Sequence, residues 1–381
     1  MPSFMQMGHD TENLVGETEL NFPGIILSPL NRYPDELKNN IGTFRDKGNY
    51  NIILDSQLYY PKSSREKLND YPYFPSDLDT ADTSSLGWWE SLNTELSEFC
   101  SRLDINAVTS PIVIPKYFSD DYYDLSLQVG NSLKAQLNSS NIDVLQTIIV
   151  DISLLTKDDY ILRLASILSK SSCDSFYMIF TSEIHPRNEI ANNFELTGAM
   201  NLIKELKMVK KQIYIAFCSS EMILYKIAGA DFCCTGKFFN LRRFTKSRFE
   251  EPAGGGGQLP YWYEQGLLAF LRQVDILRIR SKDLSSILQT GNSKNIWSDK
   301  VLQQLEEEPS KAWVGIGWRQ YLSWFCKMEE DLDNNRVDVE SMLLLADKNW
   351  GIIDKNKVFF EERSNNGEWV RSWLQAINDF K

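Results

Sequence analysis

Between Phe22 and about Arg280 the chain alternates short apolar runs with amphipathic stretches of helical period, and this alternation restricts the fold more than any other feature. A strand covered on both faces reads as an unbroken apolar run, and repeated strand–helix alternation of that kind belongs to a parallel sheet wrapped by helices. The runs that read as strands are Gly24 to Ser28, Tyr50 to Asp55, Ala107 to Ile114, Leu145 to Ile152, Ser175 to Thr181, Gln212 to Cys218 and Asp231 to Thr235. Nearly all are followed by helices, which predicts an α/β fold of the TIM-type (β/α)8 barrel class. The chain's 381 residues suit such a barrel with additions. The best candidate for the eighth strand is Gln258 to Tyr263. A doubly wound open sheet is the alternative, but no G-x-G-x-x-G follows the first strand.

Two segments break the rhythm. Residues 62 to 87, with Tyr71-Pro-Tyr-Phe-Pro-Ser-Asp, have the turn-forming content of an ordered surface insertion that overhangs the carboxyl face of the barrel. Beyond Ser281 the pattern becomes helical, so residues 1–281 are read as the barrel and 282–381 as an appended helical region. That region carries seven of the ten tryptophans, and large rings there are read first as core packing rather than base stacking.

A formal net charge of -12 disfavours indiscriminate binding to polyanions, so any nucleic-acid contact has to be local. No apolar run is long enough to span a bilayer and the amino terminus lacks a basic segment followed by an apolar one, so the expectation is a cytoplasmic protein without a membrane partner. The six cysteines form no CxxC pair and the only histidines are His9 and His185; no metal and no cofactor are expected.

Barrel chemistry gathers at the carboxyl ends of strands. Asp55, at the end of its strand, is either a turn-forming cap or a site residue. Asp151 and Glu183 stand at two further strand ends, and His185, without a neighbouring partner, reads as a surface or capping residue. After the last strand comes Thr235-Gly-Lys237-Phe-Phe-Asn-Leu-Arg242-Arg243-Phe-Thr-Lys246-Ser-Arg248, five basic residues with no acid between them. Its phenylalanines could stack on bases, or could pack the loop down as a basic surface feature. The glycine run Gly254 to Gly257 lacks the Lys-Ser/Thr of a phosphate-binding loop and reads as a connector.

The stretch Cys218-Ser-Ser-Glu-Met-Ile-Leu-Tyr-Lys-Ile-Ala-Gly-Ala-Asp-Phe-Cys-Cys234 resembles a late barrel segment of the tRNA-guanine transglycosylases, which ends there in Gly-x-Asp-x-Phe-Asp-Cys with a nucleophilic aspartate. The likeness extends over roughly residues 50 to 280. Asp55-Ser56 matches the start of that family's Asp-Ser-Gly-Gly-Phe-Gln, Asp151 stands where its glutamine reads the guanine edge, and Glu183 keeps its glutamate. The resemblance therefore implies a barrel, gives Asp55 a part in proton transfer, and makes Asp55, Asp151 and Glu183 the candidate catalytic residues. It makes Ser56, Gln57, Asp151 and Glu183 candidates for contact with a base, and Lys237, Arg242, Arg243, Lys246 and Arg248 candidates for contact with nucleic acid.

The departures from the family pattern are coordinated. Cys234 replaces the nucleophile, Gln57-Leu58 replaces two glycines, Asp151 replaces the base-reading glutamine, and Ala253 to Pro260 stands where the family has its zinc cysteines, followed by a helix-like stretch from Tyr261 to Arg272. A thiol cannot simply substitute for the aspartate of a two-step glycosyl transfer. Three readings follow. The first is a protein that recognises a purine or deazapurine base, free or within a nucleic acid, without base exchange. The second is a glycosyl-bond enzyme acting through other carboxylates; the third is a scaffold subunit in a complex with a protein partner or a second copy.

Overall fold

In a computed structural model, residues 3–61, 63, 65–75, 78–79, 81–250 and 258–381 are described. Eight parallel strands close into a barrel: β1 (Phe4–Gln6), β2 (Gly24–Leu27), β3 (Asn51–Leu54), β4 (Ala107–Thr109), β5 (Asp143–Asp151), β6 (Ser175–Thr181), β7 (Gln212–Ala216) and β8 (Phe232–Thr235). Around them lie α1 (Pro34–Lys47), α2 (Leu86–Cys100), α3 (Asp120–Gln136), α4 (Asp158–Leu168), α5 (Asn193–Met208) and α6 (Met222–Ile227). The chain therefore has the TIM-type α/β barrel fold that its alternation predicts, with further helices at the carboxyl end.

The strand that closes the barrel is not the expected one. β1 pairs with both β2 and β8, placing Phe4 opposite Gly24 on one side and Cys234 on the other. β1 lies ahead of the alternation that begins at Phe22 and so outside its pattern, but its ring needs the glycine: a Cβ on Gly24 would lie 2.0 Å from the Phe4 ring. The stretch from Gln258 to Arg272, read both as the eighth strand and as a helix start, instead forms an antiparallel hairpin of β9 (Trp262–Glu264) and β10 (Ala269–Leu271). Its turn explains why no helix forms. Leu268 has a φ of 50°, a left-handed conformation foreign to a helix, and the Glu264 carboxylate accepts from Gly266 N at 2.9 Å within the turn and from Gln289 N at 2.7 Å and Thr290 N at 3.0 Å beyond it.

The remaining helices are α7 (Gln273–Ser281), α8 (Ile296–Glu307), α9 (Val314–Asp333), α10 (Val339–Lys355) and α11 (Glu368–Phe380). They surround the hairpin. Gln320 of α9 brackets Tyr263, accepting from its N at 2.9 Å and donating to its O at 2.8 Å, while Trp350 and Trp369 donate to the Leu267 and Leu268 carbonyls. For Trp350 and Trp369, buried with satisfied N–H groups, this is the packing role expected of large rings in the helical region. The helices also grip the barrel: the buried Glu329 of α9 accepts from Ser3 Oγ at 2.7 Å and from Cys233 N at 2.8 Å, and Trp373 of α11 donates to Ile190 O at 2.9 Å. Among the described residues no helix is long and apolar enough to cross a membrane.

Candidate functional site

The barrel axis is filled at its carboxyl end. Asp55, immediately after β3, is wholly buried and its carboxylate is crowded with donors. Oδ1 accepts from Tyr59 OH at 2.6 Å, Gln57 N at 3.1 Å and Thr109 Oγ1 at 3.4 Å; Oδ2 accepts from Tyr177 OH at 3.3 Å and Gln57 Nε2 at 3.4 Å. The network runs on through Gln6, which donates to Tyr177 OH at 3.0 Å, and through Gln57, which accepts from Ser28 Oγ at 2.9 Å. Ser28 in turn accepts from Arg248 Nη2 at 2.9 Å. Burial pushes the Asp55 carboxyl up, and the Tyr59 hydroxyl, Gln57 and Arg248 oppose that push. Above this network the buried rings of Tyr59, Phe217, Phe244 and Phe249 pack edge to face or tilted, with centroids 5.2–6.0 Å apart.

Gln57 holds a position that glycine prefers. Its φ is 53°, and its side chain compensates by accepting from Ser28 Oγ and from Leu30 N at 3.3 Å. Ser56 is also buried, its N–H bonded to Thr109 Oγ1 at 2.9 Å. Both residues brace the loop after β3 from inside the barrel.

The structure does not bring the three sequence-derived carboxylates together. Asp55 is enclosed on the axis. Asp151, at the end of β5, accepts from Ser153 N at 3.0 Å and Ser153 Oγ at 2.7 Å, capping the turn that follows. Glu183 is exposed on the loop after β6. A general acid and base must reach one ligand atom, and these three are dispersed. Cys234, fully buried in β8, has its thiol pushed well up by burial, which keeps it out of the thiolate form a nucleophile needs. Asp231, in the Gly-x-Asp part of the motif, is held by Lys207 Nζ at 2.7 Å and by Ile213 N at 2.7 Å, so it fastens β8 to β7.

The basic loop is not an exposed basic patch. Arg242 is buried, its guanidinium 3.6 Å from the Tyr321 ring centroid and bonded to the Gly236 and Lys237 carbonyls, and burial pushes its pKa down to about 10. Arg243 is buried on the far side of the loop, donating to Asn188 O at 3.1 Å. Arg248 is buried beside the axis network, with its pKa lowered to about 10 by burial and with Nε left without a partner. Only Lys246 projects into solvent. Lys237, Arg242 and Arg243 thus anchor the loop on carbonyls and a ring, an arrangement that the sequence pattern alone does not distinguish from a nucleic-acid contact.

What the loop does build is one wall of a cleft of about 690 Å³. The other walls come from residues after β1 (Gly8, His9), after β2 (Leu30, Asn31), after β3 (Arg65) and after β6 (His185, Pro186, Arg187), from the approach to β9, and from Trp318 of α9. The cleft thus lies at the carboxyl face, bounded on one side by α9. Among its described lining residues five are Lys or Arg, namely Arg65, Arg187, Lys237, Arg242 and Arg248; both histidines of the chain join them, and no Asp or Glu does. At its edge, Glu362 approaches Arg187 to 3.7 Å and accepts from Tyr261 OH.

Aromatic faces line the same space. Lys237 Nζ sits 4.7 Å from the centroids of both Phe238 and Trp318, and Arg187 lies 6.0 Å and 5.8 Å from those of Phe239 and Tyr261. Lys237 donates to Asp10 O at 2.6 Å, and burial pushes its pKa down to about 8. Asn240 Oδ1 and Arg248 Nε are buried in this wall without partners. The arrangement can neutralise a multiply charged anion and hold a flat ring against it. Arg65 and Arg187 were not singled out by the sequence, and nothing in it marked His9 or Trp318 as sharing a site with them; only the charge contrast of the loop after β8 pointed towards this region.

No family model and no curated protein sequence matches the chain. Among solved structures it is similar to a type I 3-dehydroquinate dehydratase from Clostridium difficile, at 10% identity and a TM-score of 0.36 over 62% of this chain and 84% of that one. It is also similar to a GH18 chitinase from Pseudoalteromonas aurantia, at 11% identity and a TM-score of 0.41 over 63% and 95%. A third is the carboxyl transferase domain of Rhizobium etli pyruvate carboxylase, at 8% identity and a TM-score of 0.38 over 100% and 61%. Likenesses of this order say nothing about the reaction.

Proposed function

We propose that this protein recognises a nucleobase-bearing anion, a nucleotide or a nucleotide unit within a nucleic acid, in the cleft at the carboxyl face, and does so without base exchange. The observation that carries the reading is the lining of that cleft: five Lys or Arg side chains and both histidines, with no carboxylate among the described residues, in a chain of net charge -12. Phosphate oxygens are the anions that clustered guanidinium and ammonium groups bind best, and a purine has the planar face that Trp318, Phe238 or Tyr261 can cover.

Against base exchange stand the burial of Cys234, the full set of donors on Asp55 and the capping role of Asp151. The resemblance to transglycosylases supports a purine or deazapurine as the ring. Binding of guanosine 5′-monophosphate, guanosine and inorganic pyrophosphate, followed by Trp fluorescence and calorimetry in a salt series, tests the reading. The nucleotide should bind more tightly than either fragment and weaken with salt. Equal binding of guanosine and its monophosphate, or no binding of either phosphate compound at low salt, would sink it.

A further inference from the structure

Behind the cleft wall lies a second cluster that the proposed function does not use. Glu189 follows β6, Glu221 follows β7 and Arg243 follows β8, so three successive loops at the carboxyl face meet there. Arg243 Nη2 stands 3.7 Å from Glu221 Oε1 and 4.0 Å from Glu189 Oε2, and the three side chains are only 4–6% exposed. Ser220 Oγ donates to Glu189 Oε1 at 2.6 Å. Four further atoms have no partner: Glu189 Oε2, Glu221 Oε2, Arg243 Nε and Ser182 Oγ. Ser182, Glu221 and Arg243, though not Glu189, line a small cavity of about 10 Å³, with Phe180 and Tyr225 among the apolar walls.

Two facts decide what this space holds. It is about the size of one water, and its orphaned atoms include both a donor, Arg243 Nε, and acceptors, so a water that accepts one bond and donates two satisfies it whereas a bare cation leaves the guanidinium facing like charge. The carboxylates are short of donors as well. Arg243 Nη2 stops at 3.7 Å and 4.0 Å from them, and Glu189 Oε2 and Glu221 Oε2 are buried without a partner, so the least costly state has a proton on one of them.

We propose that Glu189 and Glu221 hold a single shared proton beside one buried water, and that this proton is thermodynamically linked to anion binding in the cleft. The linkage rests on the anion-binding reading above; the shared proton does not. Burial and the neighbouring Glu221 push Glu189 up to about 8, and burial raises Glu221, in agreement with the geometry. The charged or titratable groups facing the pair are Arg243 and Arg242 from the loop after β8, Tyr225 from α6, Tyr263 from β9 and Cys218 from the end of β7. Arg242 belongs to the cleft wall and feels the charge on Glu189. When the shared proton leaves, a second negative charge develops behind the wall, and an anion in front of it is held less well. Reciprocally, an arriving anion makes the pair retain or take up its proton.

The test has two arms, both on the full chain. In the first, infrared difference spectra of wild type minus Glu189→Gln at neutral pH should show the carbonyl band of one protonated carboxyl, since the remaining Glu221 pairs with Arg243 as a carboxylate. Absence of that band overturns the shared proton. In the second, the affinity for inorganic pyrophosphate is compared between pH about 7 and about 9. Wild type should lose about 5-fold more than Glu189→Gln over this interval, the variant keeping the loss due to Lys237. Parallel losses in the two proteins overturn the linkage. A carboxyl band without any pyrophosphate binding would remove the cleft reading and the linkage together, while the shared proton would stand.

Discussion

Two regions at the carboxyl face of this barrel are built on opposite principles. On the axis, Asp55 is enclosed by five donors and roofed by four rings, and its polar groups face one another. In the cleft bounded by the loop after β8 and by Trp318, the lining is open, basic and incompletely satisfied, with Arg248 Nε and Asn240 Oδ1 unpartnered in its wall. A satisfied buried network gives rigidity and little capacity to bind, whereas unpaired donors beside an open space define a place where a ligand gains what the protein lacks. Position at the end of a barrel strand is therefore a weaker guide to function here than unsatisfied charge.

The largest effect that could break this contrast comes from the axis side of β8. Replacing the fully buried Cys234 by Asp, the residue at this place in the tRNA-guanine transglycosylase segment that the sequence resembles, should destabilise the protein by about 3–5 kcal/mol in urea unfolding and yield no release of base from nucleic acid. A stable variant that releases base would show that the axis is a working site. Next, Asp55→Ala should cost about 2–4 kcal/mol, because it strands Tyr59, Tyr177 and Gln57, and should leave nucleotide affinity in the cleft within about 2-fold. The reverse pattern, retained stability with lost binding, would move the ligand onto the axis.

Acidity gives a third test. Burial raises Glu189 to about 8 and both Glu264 and Glu329 to about 7, from an ordinary 4.5. For a folded pKa that is raised, the stabilising contribution is complete below the unfolded value and disappears as pH climbs through the folded one. Stability should accordingly fall between pH about 5 and about 8, by at most ~1.4 kcal/mol per pH unit for each group, and Glu189→Gln should flatten the upper part of the fall. Urea midpoints that stay level or rise over this range would contradict these assignments. The smallest effect belongs to the cleft: Arg187→Ala, at an exposed side chain, should weaken nucleotide binding by about 10-fold and lower the salt slope by about one, with stability changed by less than ~0.5 kcal/mol. Loss of stability without loss of binding would make Arg187 a mere edge contact of Glu362 and Tyr261.

Seven of the eight barrel strands were legible because each is a long enough apolar run between helices, and Asp55 was legible as a residue of consequence because it ends one of them. β1 was not legible: it lies ahead of the strand–helix alternation that begins at Phe22, and its identity as a strand comes from pairing with β2 and β8. The hairpin of β9 and β10 was misread because its Leu- and aromatic-rich composition fits a helix, while the left-handed Leu268 and the Glu264-bonded turn decide otherwise. The basic loop was legible as a charge anomaly, yet whether an arginine faces solvent, a carbonyl or a ring depends on what the rest of the chain places around it.

By itself, then, the sequence determined the barrel, the count of only two histidines and the thiol at Cys234, since periodicity and residue identity are local properties written along the chain. The tertiary structure alone decided that Asp55, Asp151 and Glu183 are dispersed, that Arg242 and Arg243 are buried, and that Arg65, Arg187, Lys237 and both histidines share one cleft. Convergence of side chains from loops more than a hundred residues apart is set by how strands close around a common axis, and no local pattern records it.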